Sequence, residues 1–217
     1  MRNCFSIRTE RGTGLAAKVS KGKKMDESVI PLGTKSGIGM AILRRSEKTL
    51  GKIITKPDSA DLIDGVRIEP LQIYPDDRGF FMELARLGKG LAAQMVPEGE
   101  RRIQVSFTLT YPGTIKAIHY HAEQTDLWAP VSGMVQVFLY DLRRNSKTFG
   151  SINTIYTGKF RPWEILIPPG VGHGYKALGV EPIQLLYITD RHYNPADELR
   201  IAYNDPAIAY DWETQHK

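Results

Sequence analysis

From about residue 62 onward the chain consists of short apolar runs separated by turn residues, with no sustained helical period, and that leaves few folds open to it. The runs are GVRIEPLQIY, then FFMEL after the turn PDDRG, and IQVSFTLT, KAIHYH, LWAPV, MVQVFLYD, WEILI and PIQLLYITD. Pro112-Gly113 and Pro169-Gly170 punctuate them, since proline fixes one turn dihedral and glycine supplies the other. IQVSFTLT alternates cleanly, with Ile103, Val105, Phe107 and Leu109 on one face and Gln104, Ser106, Thr108 and Thr110 on the other, the period of a strand with one apolar side. LARLGKGLAAQM, residues 84 to 95, is the one helical stretch expected, weakened by Gly88 and Gly90. Many short strands without intervening helices predict an all-β domain, a jelly-roll sandwich or barrel, over residues 62–217.

The 217 residues are enough for one domain with an appendage. Residues 1–61 are expected to be that appendage, a mobile basic extension. Residues 1–60 hold 13 Lys and Arg against 5 acids, whereas the remainder holds 16 against 19. The formal charge of +5 therefore belongs to the extension and does not signal a nucleic-acid surface. An over-extended reading frame, with Met25 or Met40 as the start, is one reading of it. One cysteine, Cys4, rules out an internal disulfide framework and a cysteine-rich zinc site, and fits a reducing, cytoplasmic setting. No apolar run approaches membrane-spanning length. Neither nucleic acid nor membrane is an expected partner.

The chemistry concentrates in GTIKAIHYHAEQTDLWAPVSG, residues 113 to 133. His119 and His121 share a face of an extended strand, and a short turn can return Asp126 beside them. His173 follows in IPPGVGHGY, so three of the five histidines fall in two short segments. Imidazoles and a carboxylate converging in a barrel make a metal site or a proton-transfer site. The spacing resembles the first motif of the cupin barrels, in which two histidines and an acid bind a divalent metal with a histidine from a second motif. Pro168, Gly170 and His173 fit that second motif, while Ala177 stands where it has Asn.

A narrower resemblance covers about residue 65 to Trp212. DDRGFFMEL at 76–84, IQVS at 103–106, KAIH at 116–119, DLRRNSKTFG at 141–150, IPPGVGHGY at 167–175, LLY at 185–187 and NDPAIAYDW at 204–212 run in the order found in the dTDP-4-dehydrorhamnose 3,5-epimerase family. That resemblance implies a metal-free and cofactor-free enzyme, usually a homodimer, acting on a nucleotide-linked 4-keto-6-deoxy sugar. It assigns His119 as the base next to the ketone and Tyr187 as the acid on the opposite ring face. Arg78, Glu83, Gln104, Ser106, Lys116 and His173 would line the substrate site, with Lys116 in place of an arginine, and His192 stands where the family has a late tyrosine. Asp and Arg beside turns also fix loops, a second reading for Arg78 and the preferred one for Asp141 and Arg143.

The chain departs from the family in one direction. The C-terminal aspartate that pairs with the catalytic histidine has no counterpart before Lys217, an enolate-stabilising lysine is replaced by Asp126, a nearby arginine by Ala129, and a glutamine by His121. A carboxylate and an imidazole where the family has a cation and an amide suit a metal. Three functions are therefore open. The leading one is a nucleotide-sugar epimerase; the alternatives are a metal-dependent isomerase or dioxygenase with ligands His119, His121, Asp126 and His173, and a non-catalytic sugar-binding cupin.

Overall fold

The computed structural model of the protein describes residues 28–95 and 103–214. Two β-sheets form its body. The first has six strands in the order β15-β8-β13-β10-β11-β3, where β3 is Lys52–Ile54, β8 Ile115–Tyr120, β10 Met134–Asp141, β11 Ile152–Gly158, β13 Val171–Leu178 and β15 Leu199–Arg200. The second has five in the order β4-β12-β9-β14-β7, where β4 is Arg67–Pro70, β7 Gln104–Thr110, β9 Asp126–Ser132, β12 Trp163–Ile167 and β14 Ile183–Thr189. Two hairpins complete the set: β1 (Val29–Lys35) with β2 (Ile38–Leu43), and β5 (Ile73–Asp76) with β6 (Gly79–Met82). The all-β expectation holds, and the stretch expected to be helical gives a short 3₁₀ helix at Gly90–Met95.

Strand alternation explains the layering. On β10, Val135, Val137 and Leu139 enter the core between the sheets with Trp128, Ile165, Tyr175 and Leu185, while Phe138 and Tyr140 point the other way. That outer side is also buried. Met40 and Ile42 of β2 cover it together with Ile208, Tyr210 and Trp212 of the C-terminal segment, and the Phe138 and Tyr210 rings lie 4.5 Å apart. The six-stranded sheet is therefore covered on both faces around β10, which is buried from Val135 to Asp141.

This layering corrects the expected domain boundary. Residues 1–27 lie outside the described residues, but 28–61 are part of the body. Met40, Ala41 and Ile42 are buried, β3 pairs in parallel with β11, and Ile54 belongs to the central core. Of the basic residues that suggested mobility, Arg44, Lys48 and Lys52 are exposed, while Leu50 between them packs partly buried against the outer cluster.

One buried group opposes its neighbours. Glu164 on β12 is 5 % exposed and pairs across the ladder with Glu69. Burial, then the like charge of Glu69, pushes its carboxyl up to about 7. A carboxyl whose folded pKa lies above its unfolded value of about 4.3 loses stability as pH rises between the two. Glu164→Gln is thus expected to stabilise the protein at pH 8, on the order of 1–2 kcal/mol after allowance for water in the adjoining cleft, and to change little at pH 4. Urea melts at both values check this.

Candidate functional site

A cavity of about 510 Å³ opens between the two sheets. From the six-stranded sheet come Lys116, His119 and Tyr175, and from the five-stranded sheet Gln104, Thr108, Trp128 and Tyr187. Its rim carries Tyr193, Glu198 and Arg200.

His119 and His173 meet because β8 and β13 pair them directly, placing their ring centroids 4.1 Å apart. Gly174 permits that approach, since a Cβ there would lie 2.4 Å from the Ala117 Cβ. His121 follows β8 and Asp126 opens β9. The ligand atoms of His119, His121, Asp126 and His173 all lie within 4.8 Å of one another, so the expected convergence is present.

Each member is held differently. His121 Nδ1 lies 3.0 Å from the Asp197 carbonyl and His173 Nδ1 lies 2.8 Å from that of Val171. A carbonyl only accepts, so both Nδ1 atoms carry a proton, and His121 Nε2 accepts from Gln124 Nε2 at 3.3 Å. Asp126 accepts hydrogen bonds from Gln124 Nε2 at 2.7 Å and Trp128 Nε1 at 3.1 Å. His173 Nε2 lies 3.3 Å from Asp126 Oδ2, within ion-pair range, yet is buried and makes no hydrogen bond. Asp126 thus contacts His173, not His119 as it would if it replaced the orienting aspartate. Burial raises the Asp126 carboxyl, but His173, His121 and His119 together outweigh this and hold it well below the usual range. Burial, then His173, lowers His119 well below the ordinary imidazole value against the pull of Asp126; His121 is lowered mainly by burial. Asp126 is thus an ionised carboxylate beside two imidazoles, His119 and His121, that are held below the ordinary imidazole value.

The other expected residues divide. Gln104 and Lys116 line the cavity, and Ser106 sits on the same face of β7, accepting from Gln104 Nε2 at 3.0 Å. Lys116 Nζ donates to Thr108 Oγ1 at 2.8 Å. Arg78 does not reach the cavity of its own chain; its side chain is 83 % exposed at the β5–β6 turn, bonded to Asp76. Glu83 lies in another cleft, paired with Arg86 at 2.7 Å, and His192 is exposed beside the rim. Asp141 is fully buried and accepts from Arg143, Ser146 and Thr148; the DLRR motif ties a loop. Sequence reasoning missed Gln124 and Trp128, although both stand two positions from Asp126, the strand spacing that shares a face. It also missed Arg200, which pairs with His119 across β15 and β8, and Asp197, whose carboxylate accepts the backbone N–H groups of Ala122, Glu123 and Gln124.

Comparison with known proteins bears on what such a site does. The sequence profile of the dTDP-4-dehydrorhamnose 3,5-epimerase family matches residues 60–217. The spore coat polysaccharide biosynthesis protein SpsL of Bacillus subtilis is 44 % identical over 158 residues, which cover 72 % of this chain and all of that protein. The probable low-salt glycan biosynthesis epimerase Agl13 of Haloferax volcanii is 35 % identical, over 70 % of this chain and 96 % of its own. A crystal structure of the Legionella pneumophila dTDP-6-deoxy-D-glucose-3,5-epimerase with dTDP-4-keto-L-rhamnose superimposes with a TM-score of 0.60 at 28 % identity, covering 71 % of this chain and 82 % of that one.

Proposed function

The chain belongs to the dTDP-4-dehydrorhamnose 3,5-epimerase family, and we propose that it inverts ring carbons next to the ketone of a nucleotide-linked 4-keto-6-deoxy sugar. The observation that carries this reading is His119, an imidazole held neutral by its surroundings, in the same cavity as Tyr187 but on the opposite sheet. A base and an acid on opposing walls address opposite faces of a sugar ring. His119 takes the proton from the carbon α to the ketone, and the C–H electron pair passes into the enolate, whose charge rests on the former ketone oxygen. Tyr187 gives a proton to the same carbon from the other face, and both groups then recover their protonation states from water. Lys116 and Arg200 are the nearby cations able to stabilise that oxygen or the diphosphate. Incubation of a dTDP-4-keto-6-deoxy sugar in D₂O tests this: mass gain at the α carbons is expected, and its complete absence would leave the non-catalytic binder.

A second reading is favoured by one observation, the buried His173 Nε2 that makes no hydrogen bond. His119, His121, Asp126 and His173 have the donor chemistry of a divalent-cation site, and the carbonyls on His121 and His173 Nδ1 are partners of the kind that orient metal-bound imidazoles. A bound cation would supply Lewis-acid polarisation of a substrate oxygen. Protein purified without chelator and assayed for manganese, iron, nickel and zinc decides between the readings. Under this second reading Asp126→Asn loses a stoichiometric ion and thermal stability together. Under the first it retains the fold and no ion is involved.

No helix among the described residues is long and apolar enough to cross a membrane, and the lone cysteine and nucleotide-sugar chemistry are consistent with the cytoplasm. The working unit in this reading is a homodimer. β7 is an edge strand whose polar face lines the cavity while Val105 and Phe107 are 59 % and 57 % exposed. An unpaired edge with an apolar outer face favours a protein partner. Light scattering at micromolar concentration is expected to give a dimer, and Phe107→Arg a monomer; a monomeric wild type would reject this.

A further inference from the structure

We infer that the β1–β2 hairpin is a strap that positions the cavity wall: Ser36 at its tip grips Glu123 and thereby fixes the segment 190–198, which holds His121. The root of the strap is built into the body. Ala41 N donates to the Leu142 carbonyl and Arg144 N to that of Gly39, both at 2.9 Å, and Met40 and Ala41 are buried.

The tip is a two-residue turn pairing Lys35 with Ile38. Ser36 and Gly37 both adopt positive φ, 49° and 78°. Such a turn favours Asn or Gly at its first position, so turn geometry alone gives serine no advantage there. Its hydroxyl is used elsewhere. Ser36 Oγ donates to Glu123 Oε1 at 2.5 Å, and the neighbouring Lys35 ammonium donates to the Ala196 carbonyl.

Glu123 passes the contact inward. Its second oxygen accepts from Arg191 Nη1 at 2.6 Å. Arg191 Nε lies 3.4 Å from Asp190 Oδ1, which accepts Thr125 N at 2.9 Å. The same segment supplies Asp197, whose carboxylate takes three successive backbone N–H groups and whose carbonyl accepts from His121 Nδ1. Residues 121–125, segment 190–198 and the strap tip therefore form one network, from which Gln124, Tyr193 and Glu198 face the cavity. The family profile begins at residue 60, so the strap lies outside the matched region. Ser36 is a positioning residue and touches no reacting atom.

The test uses the full chain. Ser36→Gly suits the turn and removes the hydroxyl; Glu123→Gln keeps an acceptor for Ser36 and removes the charge facing Arg191. Amide hydrogen exchange of residues 122–125 is expected to accelerate at least ~10-fold in both variants, with the His121 ¹⁵N tautomer signature broadened and exchange in β10 unchanged. On the epimerase reading, on which only this arm depends, KM rises several-fold while kcat stays within about twofold. Unchanged exchange at 122–125 in both variants overturns the proposal, as does acceleration of β10 to the same degree, which marks a purely structural role. If the wild type turns over no keto-sugar, exchange and the imidazole spectrum still decide.

Discussion

His119→Asn is expected to cut turnover of a dTDP-4-keto-6-deoxy sugar by ~10²- to 10⁴-fold, the range attributed to a positioned general base, with thymidine diphosphate binding and the thermal midpoint nearly unchanged. Asparagine retains polarity in a partly buried position but cannot accept a proton near neutral pH. Deuterium incorporation in D₂O should fall with turnover, because proton removal itself is lost. The pH dependence has a definite sign: a base whose pKa is lowered well below about 6.5 stays neutral, and therefore competent, as pH falls through that value. The acidic limb of kcat/KM is expected below the ordinary histidine range. A variant that exchanges deuterium at the wild-type rate would remove His119 from the base role.

A chain beginning at Ser59 is expected to be insoluble or to unfold without cooperativity. The deletion removes β1 to β3 and with them Met40, Ile42 and Ile54, all buried. Large apolar side chains contribute about 1.5–3 kcal/mol each when fully buried, so the three together approach the roughly 5–15 kcal/mol that holds a typical domain folded. It also uncovers Phe138, Tyr140 and Ile152 and leaves β11 as a bare edge. Circular dichroism and urea melts check it; a cooperative transition with an unchanged midpoint would show that these contacts are dispensable.

The early residues show where reading a sequence falls short. IGMAIL at β2 has no strand alternation because it lies between a partner strand and the outer face of the larger sheet, and a short apolar run between Lys35 and Arg44 looks like a linker until that face is known. Strand alternation in IQVSFTLT was legible, but the alternation alone did not say which side faced in; the family resemblance did, by assigning Gln104 and Ser106 to the site. A polar cavity reverses the usual rule, so Gln104 and Thr108 point inward and Val105 and Phe107 outward. The histidine and aspartate cluster was legible because strand period and motif spacing bring it together locally. Arg200 and Asp197 were not, since their link to the site is a cross-strand pairing and a loop that local patterns do not encode. Arg78 and Glu83 came from motif position alone and lie outside the cavity of their own chain.

Within one chain the cavity is bordered by β7 and β15, each the last strand of its sheet and, among the described residues, each hydrogen-bonded on one side only. Strands held on one side fray most easily, so the walls that meet a ligand are among the least secured parts of the body. A molecule bridging the sheets would suppress that fraying and raise the melting temperature in proportion to the logarithm of its concentration over Kd. A thermal-shift panel of nucleotide sugars, varied in base and in ring substituents, would therefore rank candidate substrates by binding alone.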